Sequence, residues 1–434
     1  MIWIILCLNL LTMAVAFKKR MILYVLLNAI FLFLVTGQAF QIAADLQTTR
    51  TVNYLLNFIS DVGFDLGLKY VFWTSVVSLV LALVSPGFEA SPTRKSQYSF
   101  APGKSFYLGL FLFLSVLSAL LIFVVVGVDQ FLHSSRPGFQ SGSTIFLVLL
   151  FLGVVPVLLK NIHGGKIGPG DLYCCALSFG VTGFFSRTDV ILYLVTILLS
   201  LYYSGGWFRA RLTVALILRY FAFGGAVAFI VLVIGALHDA QNFTKGSLGD
   251  IVSFILDHPE KSLLSIEYNY RVGIEGMSGI GGIFSEYLSH PDLAHYDFGS
   301  SWIIQGTIQW LPGFLKPFAS GMNDLSQSLN WYPSSIIATG SESFFMSFGW
   351  AAVVLYPVSV YLLGWYLPIR MLRSRLSPAS GVTVYLLMAC TIFFVHGPLA
   401  VWIGFSFSYT AILLAFWFVF RRQFRPIVEE VEIA

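Results

Sequence analysis

The sequence predicts an all-α polytopic integral membrane protein. Of its 434 residues, 57% are hydrophobic and only 11% are charged, and the mean hydropathy is +0.82. A soluble domain averages about 25% charged residues. The apolar residues also form blocks of roughly 16–26 residues, which is the length of membrane-spanning helices. A single water-soluble globule is therefore ruled out.

Eleven spans follow from these blocks, and they divide the chain into four parts. Transmembrane helices 1 to 8 fall within residues 1–237, a large outer loop covers 238–342, helices 9 to 11 cover 343–420, and a tail covers 421–434. Residues 1–17 are read as a span because their basic cluster follows the apolar run, whereas in a signal peptide it precedes it. The predicted spans are 1–17, 21–44, 68–86, 105–128, 143–160, 170–186, 189–207, 212–237, 343–366, 379–396 and 399–420.

Positive charge predicts how the spans are oriented. Alternate connections hold 16 of the 25 Lys and Arg residues but only five of the 21 acidic residues, and the positive-inside rule assigns that side to the cytoplasm. The opposite side holds eight basic and 16 acidic residues, so the net charge of +4 conceals a basic inner surface and an acidic outer one. We therefore expect the N-terminus outside and the C-terminus inside.

One outer connection, residues 238–342, is far longer than the others. A long connection in a compact fold is where function tends to collect. We expect the loop to be partly helical, with its longer helix over Glu260–Tyr287. Its Trp302, Trp310 and Trp331 are expected at the membrane surface, where aromatic side chains are enriched.

Arg187 is the first candidate functional residue. It lies in the short outer turn between the predicted spans 170–186 and 189–207. A guanidinium between apolar helices is costly unless it is paired, so such a residue is functional by default. The alternative interpretation is a pair with Asp189 or extension of the side chain into lipid head groups.

Arg271 is the second candidate, in the longer helix of the outer loop. Spacings of four residues place Glu267, Arg271 and Glu275 on one helix face. An exposed salt-bridge stripe is the plainer interpretation, worth only a few tenths of a kcal/mol. However, Arg271 is the one arginine in a loop with 11 acidic residues, and arginine is suited to a bidentate grip on phosphate.

Three further outer residues are candidates. Glu342 lies where the outer loop leads into the predicted span 343–366. The plainer interpretation is a helix cap, because a carboxylate is favourable at a helix N-terminus. The functional interpretation is a base, or a ligand for a sugar hydroxyl, at the membrane surface. Arg136 lies on a turn-rich loop, where a solvated charge is the plainer interpretation, and His258 is a candidate base.

Other chemistries have no pattern in the sequence. The four cysteines lie inside apolar blocks, and no HxxxH or HExxH spacing, GxSxG motif or P-loop occurs. The basic residues form no nucleic-acid stripe. We therefore expect no metal, no cofactor and no nucleic-acid partner. The few outer arginines at membrane level instead suit a lipid-linked phosphate or pyrophosphate ligand.

Three segments of the chain resemble the O-antigen or oligosaccharide repeat-unit polymerases (Wzy type). They are Phe184-Phe185-Ser186-Arg187 before a long apolar span, Tyr270-Arg271 with Glu275 in the large outer loop, and Ala338-Thr339-Gly340-Ser341-Glu342 before a late span. The layout is similar over residues 140–420, with one dominant outer loop before the last three spans.

The resemblance implies a GT-C-like, metal-independent, inverting glycosyltransferase of the bacterial inner membrane. Such an enzyme transfers a growing glycan from undecaprenyl pyrophosphate to an incoming lipid-linked repeat unit at the periplasmic face. Such an enzyme is embedded in membrane lipid. A chain-length regulator protein is a further partner that the resemblance leaves open.

The resemblance also implies roles for particular residues. Arg187 and Arg271 are expected to stabilise the departing pyrophosphate, with Glu275 or Glu342 as the base. The expected substrate-binding residues are Arg136, Tyr268, Tyr270 and His258.

Two other functions remain open at the level of sequence. An O-antigen ligase would pass the glycan to a lipid A-core acceptor and is expected to carry a catalytic histidine in the large loop, where His258, His290 and His295 lie. A transporter or flippase for lipid-linked sugars would place charges deep in several spans. Here Arg219 is the one clear basic residue inside a span, and a loop of this length is hard to explain for a carrier.

Overall fold

The structure is a computed structural model that describes ten continuous stretches of the chain and several short pieces. The stretches are 1–32, 61–87, 98–100, 102–120, 143–163, 166–183, 187–203, 340–373, 378–396 and 423–426. The short pieces are 253, 256–257, 298, 300, 303–304, 402–404, 406 and 420. The predicted span 212–237 and most of the outer loop lie outside the described residues.

Helices account for nearly all of the described chain, which confirms the helical prediction for that part. In chain order they are α1 (Ile2–Lys18), α2 (Ile22–Leu32), α3 (Asp61–Val84), α4 (Lys104–Leu120), α5 (Ser143–His163), α6 (Pro169–Gly183), α7 (Arg187–Tyr203), α8 (Gly340–Phe348), α9 (Ala352–Tyr361), α10 (Leu367–Arg373) and α11 (Pro378–His396). Between α8 and α9 the chain forms a 3₁₀ turn, Gly349–Ala351, and between α9 and α10 a π-helical turn, Leu362–Tyr366.

Two of the described helical segments are long and apolar enough to cross a membrane. They are Asp65–Val84 in α3 and the continuous segment Gly340–Leu372. Shorter apolar helices match other predicted spans, including Ile2–Lys18 and Lys104–Leu120. Of the last predicted span, 399–420, only five residues are described.

A short antiparallel ladder departs from the all-α prediction. Strand β1 (Tyr98–Phe100) pairs with β2 (Phe424–Pro426), and Phe100 lies opposite Phe424. Phe100 is buried, and its ring packs against Phe420, which also contacts Phe106. Two polar connections that are distant in sequence are therefore joined by backbone hydrogen bonds and an aromatic contact, a long-range pairing that helical periodicity does not reveal.

The chain forms two compact units. Unit 1 comprises Met1–Glu89, Arg271–Ser374 and Cys390–Ala411, and unit 2 comprises Ala90–Tyr270, Arg375–Ala389 and Ile412–Ala434. One of the boundaries between them, between Ala389 and Cys390, falls within α11.

In unit 1, α1 packs along α3 through a polar face. The buried residues of α1 are Ile5, Asn9, Thr12 and Ala16, at the three- and four-residue spacing of one helix face. The side-chain amide of Asn9 donates to Ser75 Oγ of α3 at 2.8 Å and to its own helix at Ile5. Small residues and interhelical hydrogen bonds of this kind hold helices together in lipid.

The end of α1 caps the end of α3. The Lys19 ammonium donates to the backbone carbonyls of Ala82, Leu83 and Ser85, so it satisfies carbonyls that a helix terminus leaves unpaired. Since Asn9 meets Ser75 and Lys19 meets Ser85, the two helices run parallel. Parallel packing is what the predicted topology requires of spans 1 and 3.

A left-handed residue closes α1. Arg20 has a φ of 62°, and the N–H groups of Arg20 and Met21 donate to the carbonyls of Phe17 and Ala16. This pair of hydrogen bonds is the Schellman motif, in which the residue after the helix adopts the left-handed conformation. The chain reverses there and continues into α2.

The segment Gly340–Arg373 also runs parallel to α3. Tyr70, near the start of α3, hydrogen-bonds Ser341, whereas Ser85, just after α3 ends, lies 3.1 Å from the hydroxyl of Tyr361. The same segment also passes close to α2, where a Cβ at Gly364 would overlap the side chain of Leu27. The predicted topology gives this segment and α3 the same direction.

In unit 2, α5 packs closely on α6 and α7. A Cβ added at Gly153 of α5 would overlap Ser178 of α6, so glycine permits the approach of the two helices. On the other side of α5, the amide of Asn161 donates to Ser200 Oγ of α7 at 3.0 Å.

Candidate functional site

Glu342 is the predicted site residue whose side chain the structure describes. It lies in the first turn of α8, as the sequence predicts, and it is buried, with 1% of its surface exposed. All residues of α8 from Gly340 to Ser347 are buried. The carboxyl group is therefore enclosed and does not lie open to solvent at a membrane surface.

The start of α8 is held by two neighbours. A Cβ at Gly340 would overlap the carbonyl oxygen of Phe394, so glycine is needed where the chain passes this backbone. Beside it, the Tyr70 hydroxyl donates to the Ser341 carbonyl at 3.0 Å, and the Ser341 hydroxyl lies 3.3 Å from the same tyrosine oxygen. Glu342 is thereby fixed close enough to Tyr70 and Tyr356 to interact with both electrostatically.

An aromatic cluster encloses the inner face of α8. The rings of Tyr356 and Phe394 are nearly parallel, with centroids 6.0 Å apart. Phe344 of α8 meets both rings edge-on at 5.7 and 5.5 Å, and Trp402 meets Phe394 at 5.4 Å. Rigid apolar walls of this kind lower the local dielectric constant, which strengthens electrostatic interactions of any charge beside them.

The helix that carries Glu342 is interrupted about two turns further along the chain, at Gly349. Gly349 has a φ of 58°, in the left-handed region, and begins a 3₁₀ turn before α9. The backbone N–H of Phe298, from the outer loop, donates to the Ser347 carbonyl at 3.1 Å, and its ring packs on Phe348. Phe298 also has a positive φ, 54°. Gly349 adopts this conformation without strain, whereas Phe298 is a non-glycine residue in the left-handed region, and such residues are found more often at functional sites.

The structure places Arg187 at the first position of α7. Helix α6 ends at Gly183 and α7 begins at Arg187, so the connection predicted between these spans falls on residues 184–186, which lie outside the described residues. The side-chain position of Arg187 is outside what the structure describes. The other predicted site residues lie entirely outside the described residues; they are Arg136, His258, Tyr268, Tyr270, Arg271 and Glu275.

A second charged cluster joins three helices of unit 2, and sequence reasoning did not single it out. Lys160 of α5 lies 2.6 Å from Asp171 Oδ2, and the hydroxyl of Tyr107 in α4 donates to Asp171 Oδ1 at 2.7 Å. The ammonium also lies 5.0 Å from the centroid of the Tyr107 ring. The Asp171 carboxylate accepts from both Lys160 and Tyr107. The cluster therefore joins the start of α4, the end of α5 and the start of α6.

Asp171 also caps its own helix. Its Oδ2 accepts from the backbone N–H of Gly168 at 2.7 Å, while Pro169 occupies the first helical position. The signal in the sequence was the run Gly168-Pro169-Gly170-Asp171, which is typical of a helix start. The pairing with Lys160 could not be read there, because the two residues belong to different helices.

Within the part of the chain that the structure describes, no group of three or more His, Cys, Asp or Glu side chains is placed to hold a metal ion. Comparisons with protein-family models, with curated proteins and with solved structures find no match for this chain.

Proposed function

We propose that this chain is a polytopic protein of the bacterial cytoplasmic membrane. The distribution of side chains supports this placement. In α1, Asn9 and Thr12 are buried whereas Trp3, Leu10 and Leu11 are exposed, Trp3 by 67%. In α3, Ser75 is likewise buried. Polar residues inside and large apolar residues outside suit a hydrocarbon solvent, where helices associate through polar and small side chains.

The charges of unit 1 support one orientation for its spans. The acidic residues among its described residues are Asp61 and Asp65, in the first turns of α3, and Glu342, in the first turn of α8; Tyr70, further along α3, hydrogen-bonds Ser341 beside Glu342. Five of the six described basic residues of unit 1 lie at or just after the other ends of the parallel helices, whereas the sixth, Lys69, pairs with Asp65; the five are Lys18, Lys19, Arg20, Arg370 and Arg373. The positive-inside rule then gives the Lys19 end to the cytoplasm and the Glu342 end to the periplasm.

Within this placement, the chain is a repeat-unit polymerase. A hydroxyl of the incoming lipid-linked repeat unit attacks the anomeric carbon of the growing glycan. The bond from that carbon to undecaprenyl pyrophosphate breaks, the pyrophosphate leaves with the electron pair, and the hydroxyl proton passes to a carboxylate. By the resemblance, Arg187 and Arg271 stabilise the leaving group and Glu275 or Glu342 receives the proton. Arg136, Tyr268, Tyr270 and His258 bind the substrate.

The observation that carries this proposal is the buried Glu342 at the periplasmic end of a membrane helix. Ionisable residues at membrane depth are costly and mark functional sites by default. With 1% of its surface exposed, Glu342 meets a substrate hydroxyl only after α8 moves. We place this movement at Gly349, where a left-handed residue and a 3₁₀ turn interrupt the α-helical pattern beside Phe298.

A reconstituted assay tests the proposal. The full chain is placed in vesicles with undecaprenyl-pyrophosphate-linked repeat units as the sole glycan, and the products are separated by length. A ladder of polymers formed without lipid A-core supports a polymerase and excludes a ligase or a carrier. Lack of any ladder in a chain that has inserted stably would overturn the assignment.

Arginine substitutions test the site within the same assay. Arg187→Lys and Arg271→Lys keep the charge but lose the fork that grips pyrophosphate, so both should shorten or abolish the ladder. The matched control is Arg370→Lys, because Arg370 is exposed and hydrogen-bonds Tyr366 on the opposite side of the membrane. Full-length polymer from both test variants would refute the assigned roles.

A further inference from the structure

The cytoplasmic end of unit 1 carries five basic and tyrosine side chains, four of which are linked by contacts. We call this group the basic–tyrosine edge and define it by Lys18, Lys19, Tyr361, Tyr366 and Arg370. All five are described by the structure, and none belongs to the site proposed for glycan transfer.

A chain of contacts holds the basic–tyrosine edge together. Lys19 donates to the Ser85 carbonyl at 2.7 Å, and the Ser85 hydroxyl lies 3.1 Å from the Tyr361 hydroxyl. The Tyr361 and Tyr366 rings stack with centroids 6.5 Å apart. Arg370 donates to the Tyr366 hydroxyl at 2.9 Å, and its guanidinium lies 6.0 Å from that ring. The end of α1 and the start of α10 are thus linked side chain by side chain.

The π-helical turn shapes this edge. Leu362–Tyr366 adds a residue to the helical turn between α9 and α10, which changes the angular positions of the residues on either side of it. Tyr361 and Tyr366 stack across the turn, and Arg370 follows one helical turn later. A guanidinium held by a neutral hydroxyl keeps its charge and most of its donors for an outside acceptor.

Among the residues that the structure describes, the cations of the edge are balanced by neutral groups. Lys19 donates to backbone carbonyls, and Arg370 donates to a hydroxyl. The described acidic residues of unit 1 are Asp61, Asp65 and Glu342, which lie in the first turns of their helices and so at the opposite end. An anionic ligand is therefore complementary to the described part of this edge.

Apolar side chains flank these charges. Four large apolar side chains near the edge are exposed. They are Phe17 beside Lys18, Leu362 in the π-helical turn, and Leu367 and Met371 in α10. A free phosphate ion would leave this apolar surface in water, whereas a phospholipid covers it with acyl chains while its phosphate meets the cations. The surface therefore fits a molecule that is anionic at one end and apolar at the other.

We propose that the basic–tyrosine edge binds the phosphate of an anionic phospholipid in the cytoplasmic leaflet. Arg370 and Lys18 contact the phosphate oxygens, Tyr366 orients the guanidinium, and Phe17 with Leu367 lies against the acyl chains. Lys19 is a positioning residue, since its hydrogen bonds join α1 to the end of α3. The proposal rests on the membrane placement proposed above and not on the glycan-transfer reaction.

Spin-labelled lipids measure this preference directly. The full chain is reconstituted in phosphatidylcholine vesicles with trace spin-labelled phosphatidylglycerol or, separately, spin-labelled phosphatidylcholine. Electron paramagnetic resonance then gives the relative association of each lipid with the protein. The wild-type chain should select phosphatidylglycerol, and Lys18→Gln/Arg370→Gln should reduce that selectivity on the order of fivefold for each cation removed.

A charge-matched control separates a site from a general surface charge. Lys104→Gln/Lys166→Gln removes two exposed cations from the predicted cytoplasmic side of unit 2 and should leave selectivity unchanged. Arg370→Lys, which keeps charge and fold, should give an intermediate value. Absence of selectivity in the wild-type chain, or an equal loss in test and control variants, would overturn the lipid site.

The outcome also separates this site from the proposed reaction. Vesicle flotation first shows whether each variant is inserted in the membrane. A wild-type chain that does not float with the vesicles would refute both the membrane placement and the lipid site. The polymer ladder is then measured in phosphatidylcholine vesicles alone. Loss of lipid selectivity with an intact ladder supports the lipid site as separate, whereas selectivity without any ladder leaves the site standing and refutes the polymerase.

Discussion

The ammonium nitrogen of Lys160 lies 2.6 Å from Oδ2 of Asp171, with 13% and 1% of the two side chains exposed. A second ion pair, Lys69 with Asp65, has the same 2.6 Å separation but side chains that are 51% and 52% exposed. The two pairs therefore differ in burial and not in distance, which makes each a control for the other.

Breaking the buried pair should destabilise the chain strongly. Asp171→Asn leaves the Lys160 charge without its counter-ion and weakens the cap at Gly168, so we expect a loss of about 3–5 kcal/mol. Lys69→Met at the exposed pair should cost less than about 1 kcal/mol. Thermal unfolding of detergent-purified protein measures both. Equal melting temperatures for the two variants would show that the buried pair does not fasten α4, α5 and α6.

Replacing that pair by apolar residues should be milder than breaking it. Lys160→Met/Asp171→Leu removes both charges, so no unpaired ion remains in the apolar surroundings. The double variant should therefore be more stable than Asp171→Asn, although it still loses the hydrogen bond from Tyr107. A double variant less stable than Asp171→Asn would contradict the electrostatic explanation.

Glycines at two helix contacts should not tolerate a methyl group. A Cβ at Gly340 would overlap the Phe394 carbonyl, and one at Gly153 would overlap Ser178, so alanine at either should cost about 1–3 kcal/mol. Gly109 of α4 has no atom within 4 Å of an added Cβ, and alanine there should stabilise the helix by up to about 1 kcal/mol. Size-exclusion chromatography after heating measures the fraction of unaggregated protein, which ranks the three variants by stability. Similar loss at all three positions would disprove the contacts.

The helix break should be sensitive to backbone chemistry. Gly349→Ala forces a side chain into a left-handed conformation and should cost about 1–2 kcal/mol. Phe298→Pro removes the N–H that meets the Ser347 carbonyl and cannot adopt a φ of 54°, whereas Phe298→Gly keeps the donor and suits that angle. Limited proteolysis of the outer loop should be faster in the proline variant than in the glycine variant. The reverse order would refute the role of this hydrogen bond.

Substitutions at Glu342 and at Tyr70 should affect different properties, the first activity and the second stability. If Glu342 accepts the proton, Glu342→Gln should fold normally and lower the rate of polymer formation by about 10²–10⁴-fold. Tyr70→Phe loses the hydrogen bond to Ser341 and should cost about 1 kcal/mol of stability while still forming polymer. Ladders of wild-type length and rate from Glu342→Gln would assign Glu342 a structural role and leave Glu275 as the base.

Local signals in the sequence were sufficient for several features of the fold. The apolar blocks predicted the helices Ile2–Lys18 and Pro378–His396 within a residue or two at each end, and the start of Lys104–Leu120, because each helix needs only its own apolar residues to be recognised. The same reasoning placed Glu342 in the first turn of a helix. It missed the ladder of Tyr98–Phe100 with Phe424–Pro426, since that pairing joins distant parts of the chain.

What the sequence determined by itself was the helical class of the described chain, because this follows from residue type and spacing along the chain. Only the tertiary structure decided that Glu342 is enclosed, that Lys160 pairs with Asp171, and that Lys19 reaches the last carbonyls of α3. Each of these depends on which helix lies beside which. That choice is made by small residues such as Gly340 and Gly153 at points of close approach, where the missing side chain lets two backbones meet and leaves no periodic signal in the sequence.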